Sequence, residues 1–276
     1  MSVHLSRELA GHLGELRHEP TRKHVRARAG SRTLVDSRRA VLVWEPKRVV
    51  PSYAVPVEDV NAVLEPAENV RAEEHPVRLE AGGPPVLDPR TPFAAHTCDG
   101  VSLSVCAGQV RLDGAAFRPS DPDLADHVIL DFSAFDEWFE EDEVIVGHPR
   151  DPFSRIDVRH TSTPVRVELD GVVLAESTGA LLLFETHILP RFYLPRADVR
   201  TELLTPTDTI TTCAYKGHAR YWAAHVHGQR YLDLVWSYER PLSDARDVAW
   251  RMCFLDERVD VIVDGVLRER PVTPWS

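Results

Sequence analysis

Apolar and polar residues alternate in short runs along most of the chain, and the breaks between runs are rich in Gly, Asp and Pro. Val165-Arg-Val-Glu-Leu169 is such a run. Asp170-Gly171 then supplies a two-residue turn, because Gly accepts a positive φ, and Val172-Val-Leu-Ala175 returns as the partner strand. Val259–Val263, Asp264-Gly265 and Val266-Leu267 predict a second hairpin of the same kind. Helical spacing is confined to three short pieces. Residues 1–19 carry Leu5, Leu9, Leu13 and Leu16 on one face. Pro195–Leu204 begins at a Pro-tolerant first turn. Ser243–Cys253 offers Ser243 as N-cap and Ala245, Val248, Ala249 and Met252 as a buried stripe. Helices do not alternate with strands, which argues against Rossmann and α/β-barrel folds and for a mainly β protein with short helices.

The pattern also repeats. Val25–Ser37 aligns with Val165–Ser177 at an offset of 140, and the match runs on through Ala40 with Ala180, Leu42 with Leu182, Trp44 with Phe184 and Glu45 with Glu185. After a one-residue slip, Pro51, Pro56, Asp59 and Val60 meet Pro190, Pro195, Asp198 and Val199; later Thr97-Cys98 answers Thr212-Cys213. A repeat on this scale predicts two homologous domains. The expected organisation is a helical extension over 1–19, a first repeat over 20–147, a linker over 148–163 and a second repeat over 164–276. The prolines of His148-Pro-Arg-Asp-Pro-Phe153 mark the break, preceded by an acidic run, 136–143, that reads as a solvated edge.

Dividing the aromatic residues at that break separates the two copies. Of six Trp and six Tyr, only Trp44, Tyr53 and Trp138 precede residue 164, whereas six of nine Phe do. Tyr and Trp add a polar handle to apolar bulk and suit places where a ligand docks, so the second copy is the expected site bearer. Its hairpin, Tyr221–Tyr238, reads with Gly228-Gln229 as a type II′ turn that pairs His227 with Arg230 and, further back, Tyr221 with Trp236. Period-2 alternation puts Ala223, His225, Leu232, Leu234 and Tyr238 on that same face and Trp222 on the other. Tyr193 aligns with Ala54, Trp236 with Ala116 and Tyr238 with Arg118, so the aromatic positions are lost from the first copy, which reads as degenerate. An ordinary core face is the competing reading of the patch.

Composition limits the classes available. The formal net charge of −11 argues against a general nucleic-acid binder, which needs a basic face for phosphates. No apolar run approaches a membrane span, and Met1–Glu8 is too polar for a secretory signal. Cys98, Cys106, Cys213 and Cys253 stand singly, which speaks against a thiolate zinc site and fits a reducing cytoplasm. His225 and His227 share a strand face, with His218 or His187 as a conceivable third metal ligand, but nothing brings them together and no metal or cofactor is expected. There is neither a G-x-S-x-G elbow nor a glycine-rich phosphate loop. Among single residues, Lys216 lies in a Gly-ended turn, as a surface amine or, if desolvated, a base. Glu185 ends an apolar strand and is the best carboxylate for acid–base chemistry. Asp198, repeated as Asp59, fits helix capping, and Cys213, repeated as Cys98, a core role.

Phe184-Glu185-Thr186, Tyr193–Val199, Cys213–Gly217, Tyr221-Trp222 and Trp236-Ser-Tyr238 resemble the signature run of the family called domain of unknown function 427. The segments Trp138–Glu143 and His148–Phe153 are similar to the spacer of its tandem members. The resemblance covers about residues 22–270, more strongly in the second repeat. It implies two tandem β-tent-like domains, in which two antiparallel sheets meet like tent walls; related tents hold small polar molecules in aromatic pockets. The nucleotidyltransferase-like label sometimes given to the family is not matched here, because Asp260 and Asp264 lack the Gly-Ser loop that such chemistry uses. The expected function is small polar molecule binding in the second domain, walled by Tyr193, Tyr215, Tyr221, Trp236 and Tyr238, with Lys216 and Glu185 as polar and, if there is turnover, catalytic groups. The alternative is a non-catalytic binding or scaffold module that meets a protein partner through the aromatic surface.

Overall fold

The computed structural model describes residues 2–68, 76–78, 84–186 and 188–273, and these are mainly β. They fall into two units, Met1–Asp151 and Pro152–Ser276. Among the described residues no helix is long and apolar enough to cross a membrane.

In the first unit a seven-stranded sheet runs, edge to edge, through Arg17–Pro20, Val41–Trp44, Ser52–Pro56, His127–Leu130, Val110–Pro119, Gly100–Ala107 and Val63–Pro66. In the second the order is Ile156–His160, Leu181–Glu185, Ile188–Leu194, Met252–Phe254, Gln229–Ser237, Gly217–Val226 and Leu204–Cys213. Each unit adds a four-stranded sheet, and among the described residues every strand pair is antiparallel. Asp170-Gly171 and Asp264-Gly265 both have positive φ and close their hairpins as type I′ turns.

Alternation along these strands buries one face of each sheet against the other. In the second unit Val165, Val167 and Val261 of the small sheet meet Phe192, Trp222, Val235 and Phe254 of the large one; Val25, Ala27 and Trp138 meet Leu42, Tyr53, Val105 and Leu130 in the first. Each fully buried Leu, Val or Phe contributes about 1.5–3 kcal/mol. A matching hydrogen bond pins the same corner of each unit. Ser37 Oγ donates to Asp59 Oδ2 at 2.7 Å and Ser177 Oγ to Asp198 Oδ2 at 2.5 Å, while each serine oxygen accepts a backbone N–H two residues on. The aspartates therefore hold serines and do not cap helices.

Several expected elements take another form. The N-terminal helix stops at Gly11, and Arg17–Pro20 is an edge strand paired with Val41–Trp44. Within the expected linker, Ile156–His160 pairs with Leu181–Glu185 as the edge strand of the second large sheet. The Pro195–Leu204 segment makes two 3₁₀ turns, Arg196–Asp198 and Thr201–Leu203, and Leu204 already begins a strand. Ser243–Val248 is a 3₁₀ segment kinked at Ala245 whose cap position is Leu242, and Met252 lies in a strand. Segments this short give too few bonds for a costly helical nucleus, so packing chooses their shape. The acidic run is solvated at Asp136, Glu137 and Glu141–Glu143, and Glu143–Ile145 is the edge strand of the four-stranded sheet; the exceptions are Trp138, which is fully buried, and Glu140, which accepts from Tyr53 and Lys23.

Candidate functional site

The face of the second large sheet turned away from the small sheet carries four of the five sequence-predicted aromatics, Tyr193, Tyr221, Trp236 and Tyr238, while Tyr215 lies in the turn between two strands. One line of paired residues crosses it: Leu181 opposite Tyr193, Tyr193 opposite Cys253, Cys253 opposite Trp236, and Trp236 opposite Tyr221. The Tyr221–Trp236 pair was expected, but the turn before it was not. His227-Gly228 forms a type I′ turn and Val226 pairs with Gln229, two residues out of the expected register. A bulge about Asp233, itself at positive φ, restores the offset before Val235, so the two rings meet as predicted. The bulge also sends Leu234 to the inter-sheet core with Trp222, where simple alternation placed it beside Tyr221.

The aromatics differ in exposure. Tyr193, Tyr215 and Tyr238 are buried, Tyr193 at 1%, whereas Tyr221 and Trp236 are half-buried. Trp236 Nε1 donates to Tyr193 Oη at 3.2 Å with the rings edge to face, and Tyr221 Oη bonds Thr211 Oγ1 at 3.0 Å. Burial pushes the Tyr193 and Tyr238 phenols well above their ordinary pKa, and Tyr221 upward as well, so all three act as neutral groups.

Lys216 and Glu185 come together. The Cys213–Gly217 pair closes the turn Ala214-Tyr215-Lys216, with Gly217 at φ +91°, and directs the ammonium onto Glu185 at the end of its strand. Both side chains are about nine-tenths buried, and Cys213 Sγ lies 4.0 Å from Glu185. An ammonium and a carboxylate removed from water are each costly alone, which makes this pair a fixed donor–acceptor unit beside Tyr238 and Tyr193.

Sequence reasoning missed a second charged group at the same face. Arg191 lies two residues before Tyr193, opposite Leu183, and reaches Glu257 with two bonds of 3.0 and 2.5 Å, Asp256 at 3.5 Å, and the Trp236 ring at 5.9 Å. Burial opposes the Arg191 charge, but Glu257 and Asp256 outweigh it and raise its pKa. Burial likewise opposes the Glu257 charge, and the bonds from Arg191 and Thr273 hold that carboxyl below the usual range. Asp256, with the weaker contact, is pushed up by burial to about 6. Period-2 alternation places Arg191 on the Tyr193 side; the partners, some 65 residues on, have no local signal.

The first unit keeps a carboxylate at the matching place. Glu45 is buried, accepts from Thr97 N at 2.8 Å and bonds His96 Nδ1 at 3.0 Å, with Cys98 Sγ at 3.8 Å. Burial and Glu45 push the Cys98 thiol up to about 12. The His96 ring stacks on Phe117 at 3.7 Å. Phe117, opposite Ile129 and Ser102, therefore occupies the place of Trp236, and the expected match of Trp236 with Ala116 is off by one.

The histidines do not converge. His225 bonds Thr205, His218 bonds Thr212, and His227 sits in the turn against the Asp170 carbonyl, while His187 lies outside the described residues. Among the described residues no group of three or more His, Cys, Asp or Glu is arranged to hold a metal. Residues 157–265 match the profile of the family described as a domain of unknown function (DUF427). No curated protein matches the chain.

Proposed function

Taking residues 157–265 as a member of the DUF427 family, we propose that the second unit binds a small polar molecule on the Tyr221–Trp236 shelf. The observation that carries this reading is the buried Lys216–Glu185 pair on the sheet face that also presents two half-buried aromatic rings. The rings supply apolar area and polar edges, and the ion pair supplies one donor and one acceptor in a weakly hydrated place. Tyr193 and Tyr238 back the shelf as buried supports, and Tyr215 is buried in the turn that carries Lys216. In an enzymatic version, Lys216 or Glu185 moves a proton on the bound molecule. The near-complete burial of Tyr193 and the engagement of Lys216 by Glu185 favour binding without turnover. In the same reading the first unit, with an identical strand order, is a diverged tandem copy.

Thermal shifts across a panel of small polar metabolites test this. A ligand that stabilises the wild type and loses its effect in both Trp236→Ala and Lys216→Ala supports the shelf. Unchanged shifts in both variants remove it. Binding with no chemical change in the ligand removes the enzymatic version alone.

A further inference from the structure

The first unit was expected to be the plain copy, yet it holds an open cleft of about 550 Å³ on its own large-sheet face. That volume lies in the range of small-molecule sites. The register explains why there is room. Across this sheet the pairs run Val41–Ala54, Ala54–Ile129, Ile129–Phe117 and Phe117–Ser102, in the places held in the second unit by Leu181, Tyr193, Cys253, Trp236 and Tyr221. Ser102 thus stands where the second unit has Tyr221, and a hydroxymethyl replaces a phenol ring.

The lining is polar and incompletely used. Ser102 is 7% exposed and its hydroxyl makes no hydrogen bond among the described residues. Asp131 spends Oδ1 on the N–H and hydroxyl of Ser133 at 2.9 and 2.7 Å, and Asp113 spends Oδ1 on Arg111 Nε at 2.7 Å and Ser104 Oγ at 3.4 Å. Oδ2 of each accepts no hydrogen bond among the described residues, although the buried Arg48 guanidinium acts on Asp131 through space. Glu68 adds a third carboxylate to the lining, whose one guanidinium, Arg111, is committed to Asp113 and to Glu65 at 2.7 Å. The cleft therefore offers spare acceptors and net negative charge, with the ring of Phe93 as its apolar wall.

We propose that this cleft is a second binding site, specific for a small aliphatic amine. Its ammonium bonds the free oxygens of Asp131 and Asp113 and its hydrocarbon stem lies on Phe93, where a cation also meets the ring quadrupole. Ser102 supplies an acceptor on the cleft floor. A free carboxylate ligand is repelled by the same charges. The site is independent of the Lys216 shelf and stands whether or not that shelf binds anything.

Isothermal titration of the full chain with putrescine, and with succinate and erythritol as size-matched controls, tests the assignment. The expected result is saturable putrescine binding, weakened tenfold or more by Asp131→Asn and by Asp113→Asn, and lost in Ser102→Tyr, which refills the cleft as in the second unit. Urea midpoints for each variant separate loss of binding from loss of fold, and Trp236→Ala is expected to bind putrescine like the wild type. The proposal is overturned if putrescine does not saturate, if folded Ser102→Tyr binds it unchanged, or if succinate or erythritol binds as tightly.

Discussion

Replacing Asp256 by Asn tests the charged corner beside Trp236. Asp256 has a side chain only 20% exposed, and its carboxyl is raised from 3.8 to about 6, because burial outweighs the pull of Arg191. The folded state therefore holds a proton that the unfolded chain has already released, so stability is greatest below the unfolded value and is lost as pH rises through 6. At about 1.4 kcal/mol per pKa unit, the resulting loss is about 1 kcal/mol at pH 4.5 and about 3 kcal/mol at pH 7.5. Asn has nearly the same size and no charge to desolvate. Urea unfolding followed by Trp fluorescence at both pH values, with variant and wild type compared at each, isolates this residue from the other titrating groups. The stability difference is expected to move in favour of the variant by about 2 kcal/mol from pH 4.5 to 7.5. A difference that stays constant with pH, or moves the other way, refutes the idea that burial of Asp256 opposes its charge.

Other outcomes follow from the same geometry. Lys216→Met leaves a buried carboxylate unpaired and is expected to lower stability by about 3–5 kcal/mol, much of it recovered on adding Glu185→Gln, as read by denaturant unfolding of the single and double variants. Ser177→Ala removes the bond to Asp198 and should cost about 1 kcal/mol, with Ser37→Ala similar in the first unit; comparable unfolding midpoints for variant and wild type would contradict this. A Cβ at Gly100 would stand 2.3 Å from the Phe117 ring and 2.4 Å from the Arg118 carbonyl, so Gly100→Ala should destabilise by about 1–3 kcal/mol in a thermal or urea melt.

Strand character was legible wherever burial is one-sided, because alternation then records the face directly. Val165–Leu169, its Asp-Gly turn and its return strand are the clearest case. The Tyr221–Trp236 pair was legible only through cancellation: the turn lies one residue earlier than Gly228-Gln229 suggested, and the bulge at Asp233 makes up the difference. Nothing local marks that bulge, since its Asp233 carboxylate accepts from Thr207 and Thr209, two strands away across the sheet. The apolar spacing of Ser243–Cys253 was equally real, as Ala245, Val248 and Met252 are buried, but a 3₁₀ turn followed by a strand satisfies it as well as a helix does. Glu185 and Lys216 were found as individuals by their position at a strand end and in a tight turn. Their pairing, and that of Arg191 with Glu257, depends on closure of the sheet and could not be read from spacing.

The bulge at Asp233 also divides the long hairpin into two ladders. From Ala224 to Tyr231 the rungs close around His227-Gly228; from Trp222 and Val235 onward they keep a second, independent register. The outer ladder is anchored separately from the shelf, by Val226 in the inter-sheet core and by His227 at the Asp170 carbonyl. Residues inserted between His227 and Gly228 lie beyond the Val226–Gln229 rung, so an affinity tag or fluorophore loop spliced in there leaves both ladders, and the paired rings, in register.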